Sequence, residues 1–210
     1  MPSYKMISKT YGLLDIIYFR NTPRNPRKKI MELIPDEDSK VLDLCCGTMS
    51  NSIELARKKQ KLQITGLDIS KEMLAIAADI INELQLTNVN TVVRDATDTK
   101  LPDHYFDYVI LGLVLHETTE ELNRKILQEV HRILKPDGKV IVLEWERPTK
   151  IRQKILFFLI RLCEPKPFKT FIKLGKKEYF ASHHFEVEKM FSTDYSCVVQ
   201  CNNSQKGKKL

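Results

Sequence analysis

The sequence predicts an α/β fold built on a doubly wound, mostly parallel sheet of seven strands whose last two form an antiparallel hairpin. Three observations lead to this prediction. Between residues 40 and 146, short apolar runs alternate with helical patterns, which is typical of parallel strands joined by right-handed crossovers. These runs are almost continuously apolar, as expected where both faces of a sheet are covered. Acidic residues follow three of them, at the edge where such sheets bind ligands.

Residues 1–35 are predicted to form a helical cover ahead of the sheet. Tyr11, Leu14 and Tyr18 recur at spacings of three and four residues, which places them on one face of a helix. Two prolines interrupt this pattern before it resumes over residues 27–34. A polar turn then leads to the first strand.

The central region supplies five strands and three helices. Ser70 is well placed as the N-cap of the second helix, since a serine hydroxyl can accept a hydrogen bond from the first helical turn. Residues 135–138, with the sequence Lys-Pro-Asp-Gly, predict a tight turn before the fifth strand. The predicted strands are 41–44, 63–68, 91–94, 108–111 and 140–144, and the predicted helices lie near 49–59, 71–84 and 120–134.

The last third is both basic and apolar, and we expect it to cover a substrate site. A helix, a break at Pro165 and Pro167, and a second short helix are predicted there, followed by strands at 185–191 and 195–201. We therefore expect a single domain over residues 1–205, made of a helical cover (1–35), a ligand-binding core (40–146), a lid (151–177) and closing strands (184–202), with a basic tail at 206–210.

Composition limits the class of protein. A chain of 210 residues with 42% hydrophobic residues can bury a full core, which excludes a disordered chain. The net charge of +7 fits either an anionic partner, such as RNA, a phospholipid surface or an acidic substrate, or the ordinary charge of an enzyme. Five cysteines without paired C-x-x-C units argue against a disulfide framework and a zinc site, so we expect a cytoplasmic protein without a metal. No signal peptide or membrane span is predicted.

The most informative segment is residues 41–48, where an apolar strand ends in Asp43 and runs through Gly47 into a helix. The turn lacks both the G-x-G-x-x-G pattern of dinucleotide sites and the lysine of a P-loop. An acidic strand end favours a cationic or hydroxyl-bearing ligand over a phosphate. Asp68 and Asp95 follow the next two strands. Because the carboxyl ends of parallel strands meet at one edge, these three carboxylates are expected to surround one ligand.

Taken in order, these segments resemble class I S-adenosylmethionine-dependent methyltransferases, and most of all the ubiquinone and menaquinone biosynthesis branch. The resemblance runs from about residue 11 to residue 144. It rests on residues 11–15, 41–48, 66–74, 95–96, 106–110 and 129–139. It implies a Rossmann-like methyltransferase fold, S-adenosyl-L-methionine as cofactor with S-adenosyl-L-homocysteine as product, and a small, apolar methyl acceptor such as a quinone precursor or a lipid.

The resemblance also implies roles for individual residues. Asp43 would face the ammonium group of the cofactor, since a carboxylate beside a cation is favourable. Asp68 would accept hydrogen bonds from the ribose hydroxyls, and Asp95 would bind the adenine amino group. Gly47 would let the chain pass close to the ligand. The remaining cofactor-binding positions are Cys45, Ile69, Met73, Ala96 and Leu111. Each aspartate has a structural alternative, namely helix capping for the first two and an ordinary loop for the third.

Two positions depart from the family pattern, and they keep other functions open. Cys45 and Met49 stand where the family usually has glycine, and Met49 could narrow the passage around the cofactor. A non-catalytic S-adenosylmethionine-binding protein is therefore one alternative. An RNA methyltransferase is another, favoured by the charge, although the chain has neither an Asn/Asp-Pro-Pro-Tyr motif nor an appended RNA module, which argues against nucleic acid.

Methyl transfer by direct displacement needs little beyond alignment of the reactants and exclusion of water. If a base takes part, His116 is the candidate, because it follows the fourth strand at the ligand edge and histidines titrate near neutrality. The alternative is a helix-start histidine without a chemical role. Tyr11, Tyr18 and Phe158 are the further candidates for acceptor contact. The lysines among residues 151–177 also suggest contact with an anionic membrane surface. The oligomeric state does not follow from the sequence.

Overall fold

The computed structural model of the chain describes residues 25–163 and 166–203. Tyr11 and Tyr18 of the predicted cover, Pro165 of the predicted break and the predicted tail at 206–210 lie outside these residues.

One mixed sheet of seven strands organises the described chain. The strands are β1 (Lys40–Leu44), β2 (Gln63–Asp68), β3 (Val89–Val93), β4 (Phe106–Gly112), β5 (Leu134–Trp145), β6 (Phe185–Ser192) and β7 (Ser196–Asn203). Their order is β3-β2-β1-β4-β5-β7-β6. The first five run parallel, and β7 pairs antiparallel with both β5 and β6. The predicted fold class is confirmed.

Seven helices accompany the sheet in the described ranges. They are α1 (Pro26–Leu33), α2 (Ile53–Lys58), α3 (Lys71–Glu83), α4 (Glu120–Ile133), α5 (Ile151–Cys163), α6 (Lys166–Phe171) and α7 (Lys176–Ser182). The predicted N-cap of α3 is confirmed, because the Ser70 hydroxyl accepts a hydrogen bond from the Met73 N–H at 3.2 Å. The longest helix among the described residues, α4, has 14 residues. The same residues contain no candidate transmembrane helix.

The helices cover both faces of the sheet, as a doubly wound fold requires. On one face, α1, α2 and α3 pack on the strands through residues such as Ile30, Leu55 and Leu74. On the other face, α4, α6 and α7 pack through residues such as Val130 and Phe180. A third, smaller cluster, which we call the aromatic cluster, lies beside the end of β5 and contains Trp145, Phe157, Phe168, Ile172 and Tyr195.

Two local predictions differ from the structure, and one helix was not predicted. The helix predicted at 49–59 begins only at Ile53, because Met49 has a left-handed backbone with φ of +58° that cannot continue a helix. The turn predicted at 135–138 lies inside β5, where pairing jumps from Leu134–Phe106 to Lys139–Tyr108 and the register shifts by several residues. Helix α7, within and beyond the predicted lid, was not predicted.

Candidate active site

The carboxyl ends of β1, β2 and β4 meet at the point where the strand order reverses, and we call this edge the crevice. β1 lies between β2 and β4, with Asp43 in register with Gly66 on one side and Ile110 on the other. In open α/β sheets this switch point is where ligands bind, since the connections leave it in opposite directions. The residues predicted to bind a ligand therefore follow strands that meet at one edge.

Asp43 is completely buried at this edge. Its Oδ2 accepts a hydrogen bond from the Ser52 hydroxyl at 2.5 Å. Its Oδ1 is also buried and has no hydrogen-bond partner within the described chain. Burial raises the pKa of Asp43 to about 7, although the Ser52 hydrogen bond opposes this shift. A buried acceptor without a donor costs free energy, so a cationic donor placed beside Oδ1 would stabilise the site.

The turn after β1 contains three residues with left-handed backbones. Cys45, Gly47 and Met49 have φ values of +56°, +53° and +58°. This conformation costs a non-glycine residue roughly 1–2 kcal/mol, so the turn holds two strained positions. Burial raises the pKa of the half-buried Cys45 to about 12, and the charge of Asp68 adds to this effect. Cys45 is therefore a neutral thiol at physiological pH.

Asp68 holds this turn in place. Its Oδ2 accepts a hydrogen bond from the Gly47 N–H at 2.7 Å, and its Oδ1 accepts one from the Ser70 N–H at 2.9 Å. Each carboxylate oxygen has two lone pairs, so both oxygens keep the capacity to accept a further donor. The carboxylate thus supports the backbone and still lies at the ligand edge.

The neighbouring predicted positions differ in exposure. Ile69 is 72% exposed, which is unusual for an isoleucine directly after a buried strand. Met73 lies beside the turn, since a Cβ added to Gly47 would be 3.4 Å from its Cε. Ala96 is buried, and Leu111 is fully buried in the core.

Asp95 is exposed and forms an Asx turn. Its Oδ1 accepts hydrogen bonds from the Thr97 N–H at 2.8 Å and from the Thr97 hydroxyl at 2.7 Å. These two bonds hold the pKa of Asp95 below its usual value. The local geometry matches the loop alternative, and a role in binding adenine stays a prediction.

The side chain of Met49 lies in the protein core. Met49 is fully buried among the residues that α2 and α3 pack onto the sheet. A Cβ added to Gly66 would be only 2.4 Å from its sulfur, so the methionine fills the space that a side chain at position 66 would need. The methionine side chain thus belongs to the core, and an effect of Met49 on the passage around the cofactor stays a prediction.

Sequence reasoning missed Arg27 as a cation that acts on Asp43. Arg27, in α1, donates a hydrogen bond from Nε to Asn51 Oδ1 at 3.1 Å. The Asn51 amide packs on Gly112 at the end of β4, where an added Cβ would be 2.1 Å from Nδ2. Arg27 also acts on the carboxyl of Asp43, whose pKa it lowers. An arginine in a basic helical segment carries no sequence signal of such a position.

His116 forms a buried pair with Glu144. Both side chains are 1% exposed, and His116 Nδ1 lies 2.7 Å from Glu144 Oε2. Glu144 Oε1 accepts hydrogen bonds from the backbone N–H groups of Val114 at 3.1 Å and Leu115 at 2.8 Å. Burial opposes ionisation of Glu144, but the charge and the hydrogen bond of His116 outweigh it and hold the pKa of Glu144 below its ordinary value.

Glu144 is the second residue that sequence reasoning missed. It ends an apolar strand in the same manner as Asp43 and Asp68, and this pattern could have identified it. Its oxygens fix both the loop after β4 and the imidazole ring. A carboxylate on Nδ1 orients the imidazole ring and stabilises its protonated form.

The aromatic cluster encloses the imidazole of His116. The His116 ring lies edge-on to Phe168 at 5.6 Å and to Trp145 at 6.4 Å between ring centroids. Phe157 contacts both of these rings at about 6 Å. Phe158, the predicted acceptor contact, is 54% exposed on another face of α5. The neighbouring residue Phe157 is therefore the one that faces the His116 site. Contact of Phe158 with an acceptor stays a prediction.

Comparison with known proteins identifies methyltransferases as relatives of this chain. Residues 41–138 match the family model described as a methyltransferase domain. The chain is 32% identical over 179 residues to the demethylmenaquinone methyltransferase of Geobacillus sp. (strain WCH70), covering 84% of this chain and 74% of that protein. It is 34% identical over 181 residues to the demethylmenaquinone methyltransferase of Bacillus cytotoxicus, again covering 84% and 74%.

Two solved structures share the fold. A SAM-dependent methyltransferase from Aquifex aeolicus superposes with a TM-score of 0.69 at 20% identity, covering 92% of this chain and 96% of that one. A protein from Pyrococcus horikoshii OT3 gives a TM-score of 0.67 at 24% identity, covering 93% and 98%. At such identities the likeness concerns the fold alone.

Proposed function

Because the chain belongs to the S-adenosylmethionine-dependent methyltransferases of the menaquinone and ubiquinone branch, we propose that it methylates a quinone precursor of the demethylmenaquinone type. The observation that carries this proposal is the buried His116–Glu144 pair enclosed by the aromatic cluster. Such a site offers a proton acceptor within apolar walls, which suits an aromatic acceptor bearing a hydroxyl group.

The residues at the crevice fit the cofactor. When bound, S-adenosyl-L-methionine supplies an electrophilic methyl group and leaves as S-adenosyl-L-homocysteine. Its methionine part is a zwitterion, and the crevice offers an anion at Asp43 and a cation at Arg27. The buried Oδ1 of Asp43 lacks a donor among the described residues, and an ammonium group would provide one. We assign Asp43 to the ammonium and Arg27 to the carboxylate.

The adenosine part would lie over the ends of β2 and β3. Asp68 keeps acceptor capacity for the ribose hydroxyls while it supports the turn at Gly47. The side chain of Ile69 is 72% exposed without a ligand. Packing of the adenine ring against it would remove apolar surface from water, which is favourable. Cys45, Met73, Asp95, Ala96 and Leu111 complete the proposed cofactor site.

His116 is the proposed general base. If Nδ1–H donates to Glu144, the basic lone pair of the imidazole is on Nε2. His116 would take the proton of an acceptor hydroxyl, and the resulting oxyanion would raise the electron density of the neighbouring ring carbon. Glu144 would stabilise the imidazolium that forms. The acceptor would enter by displacing Phe168, whose ring centroid lies 5.6 Å from that of the imidazole.

A prenyl quinone precursor is held in a lipid bilayer, so the proposed function requires access to a membrane. We propose a cytoplasmic enzyme that contacts the membrane from its surface. The buried free thiols Cys46, Cys197 and Cys201 are compatible with a reducing compartment.

The test is transfer of a labelled methyl group. Purified protein is incubated with methyl-labelled S-adenosylmethionine and a reduced demethylated quinone, with RNA as the comparison acceptor, and products are identified by mass spectrometry. We expect labelled quinone and unlabelled RNA, and no transfer by the His116→Ala variant. Methylated RNA with unmodified quinone would favour the RNA alternative. Cofactor binding without transfer to either acceptor would refute the proposed acceptor class.

A further inference from the structure

Helix α5 carries an exposed apolar stripe. Ile151, Ile155 and Phe158 are 76%, 68% and 54% exposed. They are spaced by four and three residues, so they lie on one face of the helix. Among the residues whose side-chain exposure is described, Ile151 and Ile155 are the most exposed large aliphatic residues besides Ile69, which belongs to the proposed cofactor site. Contiguous exposed apolar residues of this kind mark an interaction surface.

The orientation of this stripe is fixed by the opposite side of the helix. Phe157 is only 4% exposed and contacts Trp145 and Phe168 in the aromatic cluster. Successive helical residues are rotated by about 100° around the axis, so anchoring Phe157 turns its neighbour Phe158 outward. The stripe therefore faces away from the sheet because the site beneath it is packed.

Positive charge surrounds the stripe. Residues 147–163 contain five basic residues and no acidic residue. Of these, Arg147, Lys150, Arg152 and Lys154 are exposed, and Lys166, Lys169 and Lys173 are exposed on the segment that follows. Apolar side chains flanked by lysine and arginine are the pattern of helices that lie in the interface of an anionic bilayer.

We propose that α5 docks on an anionic phospholipid surface, with the apolar stripe entering the acyl boundary and the basic residues contacting lipid phosphates. The charge complementarity favours this occupant over a neutral apolar partner. The same helix contacts the aromatic cluster through Phe157, so docking would bring the His116 site next to the bilayer. This last consequence rests on the proposed function, but the docking itself does not.

Vesicle binding of the full chain tests the proposal. The wild type and an Ile151→Ser/Ile155→Ser double variant are mixed with vesicles of phosphatidylglycerol and phosphatidylcholine, and with vesicles of phosphatidylcholine alone. Met190→Ser, at a 41% exposed position on β6, is the matched control. We expect binding to anionic vesicles only, weakened by added salt, at least about tenfold weaker in the double variant and unchanged in the control.

Several outcomes would overturn the proposal. The proposal is wrong if the wild type does not bind anionic vesicles, or if the double variant binds them as tightly as the wild type. It is also wrong if the double variant has a smaller oligomeric mass than the wild type, because the stripe would then contact a second copy of the chain. Methylation of a short-chain, water-soluble quinol is measured in parallel without vesicles. Activity there with lost vesicle binding supports docking by the stripe, whereas binding without any quinol methylation counts only against the proposed function.

Discussion

The substitution Glu144→Gln separates the chemical role of the His116–Glu144 pair from its structural role. In the wild type, Oε1 accepts the backbone N–H groups of Val114 and Leu115, while Oε2 accepts the Trp145 N–H at 3.2 Å and contacts His116. Glutamine keeps only one acceptor oxygen. If that oxygen serves Val114 and Leu115, the amide NH2 faces His116 Nδ1 and the Trp145 N–H loses its acceptor.

Two magnitudes follow from this rearrangement. One buried N–H without an acceptor costs about 1–3 kcal/mol, which is the expected loss of unfolding free energy. An amide donor on Nδ1 moves the imidazole proton to Nε2, which removes the proposed basic lone pair. Loss of general-base catalysis lowers kcat by about 100-fold to 10,000-fold. Cofactor affinity should stay within about threefold, since Asp43 and Asp68 are unaffected.

The assay combines kcat with urea unfolding and calorimetry of cofactor binding. Glu146→Gln, two residues further along, is the matched control and should change neither kcat nor stability. Glu144→Asp should recover part of kcat, because it restores the charge. The pKa of Glu144 is held below its ordinary value, so its stabilisation is complete above about pH 4.5 and is lost as pH falls. A Glu144→Gln variant that loses stability but keeps kcat within about threefold would refute the catalytic reasoning and leave a purely structural glutamate.

Three further predictions concern the crevice and the turn. The pKa of Asp43 is raised to about 7, so without cofactor the protein should lose stability as pH rises from about 4 to 7. In thermal unfolding, the Asp43→Asn variant should lack this dependence of stability on pH and should be more stable than the wild type at pH 8. Cofactor affinity, measured by calorimetry, should increase with pH up to about pH 7 in the wild type and should be at least about tenfold lower in the Asp43→Asn variant. A wild-type affinity that does not depend on pH would contradict the contact between Asp43 and the ammonium group. Gly66→Ala should cost about 1–3 kcal/mol by crowding the Met49 sulfur, and a cycle with Met49→Ala should show favourable coupling, whereas additive effects would contradict this packing.

Much of the fold follows from local sequence patterns. The central strands are centred on short, largely apolar runs, and the connecting helices have helical periods, with a start signal at Ser70 for α3. These signals are encoded within single elements, so they survive without knowledge of tertiary contacts. Helix α7 was missed because it has only seven residues and begins after Gly175 without a side-chain cap.

The candidate site was only partly predictable, for a physical reason. Asp43, Asp68 and Asp95 follow their strands in sequence, so topology alone brings them to one edge. The partners that define their chemistry are remote. Arg27 reaches Asn51 across 24 positions, and Glu144 reaches His116 across 28. Such pairings depend on how elements pack, and a single sequence carries no record of it.

The contact between Met49 and Gly66 couples the two positions. A Cβ at position 66 would come within 2.4 Å of the methionine sulfur, so a larger residue there requires the methionine side chain to move or to be shortened. Shortening Met49 alone leaves an empty volume in the interior. A combined change at both positions can therefore keep this volume filled, whereas a change at either one alone is expected to lower stability.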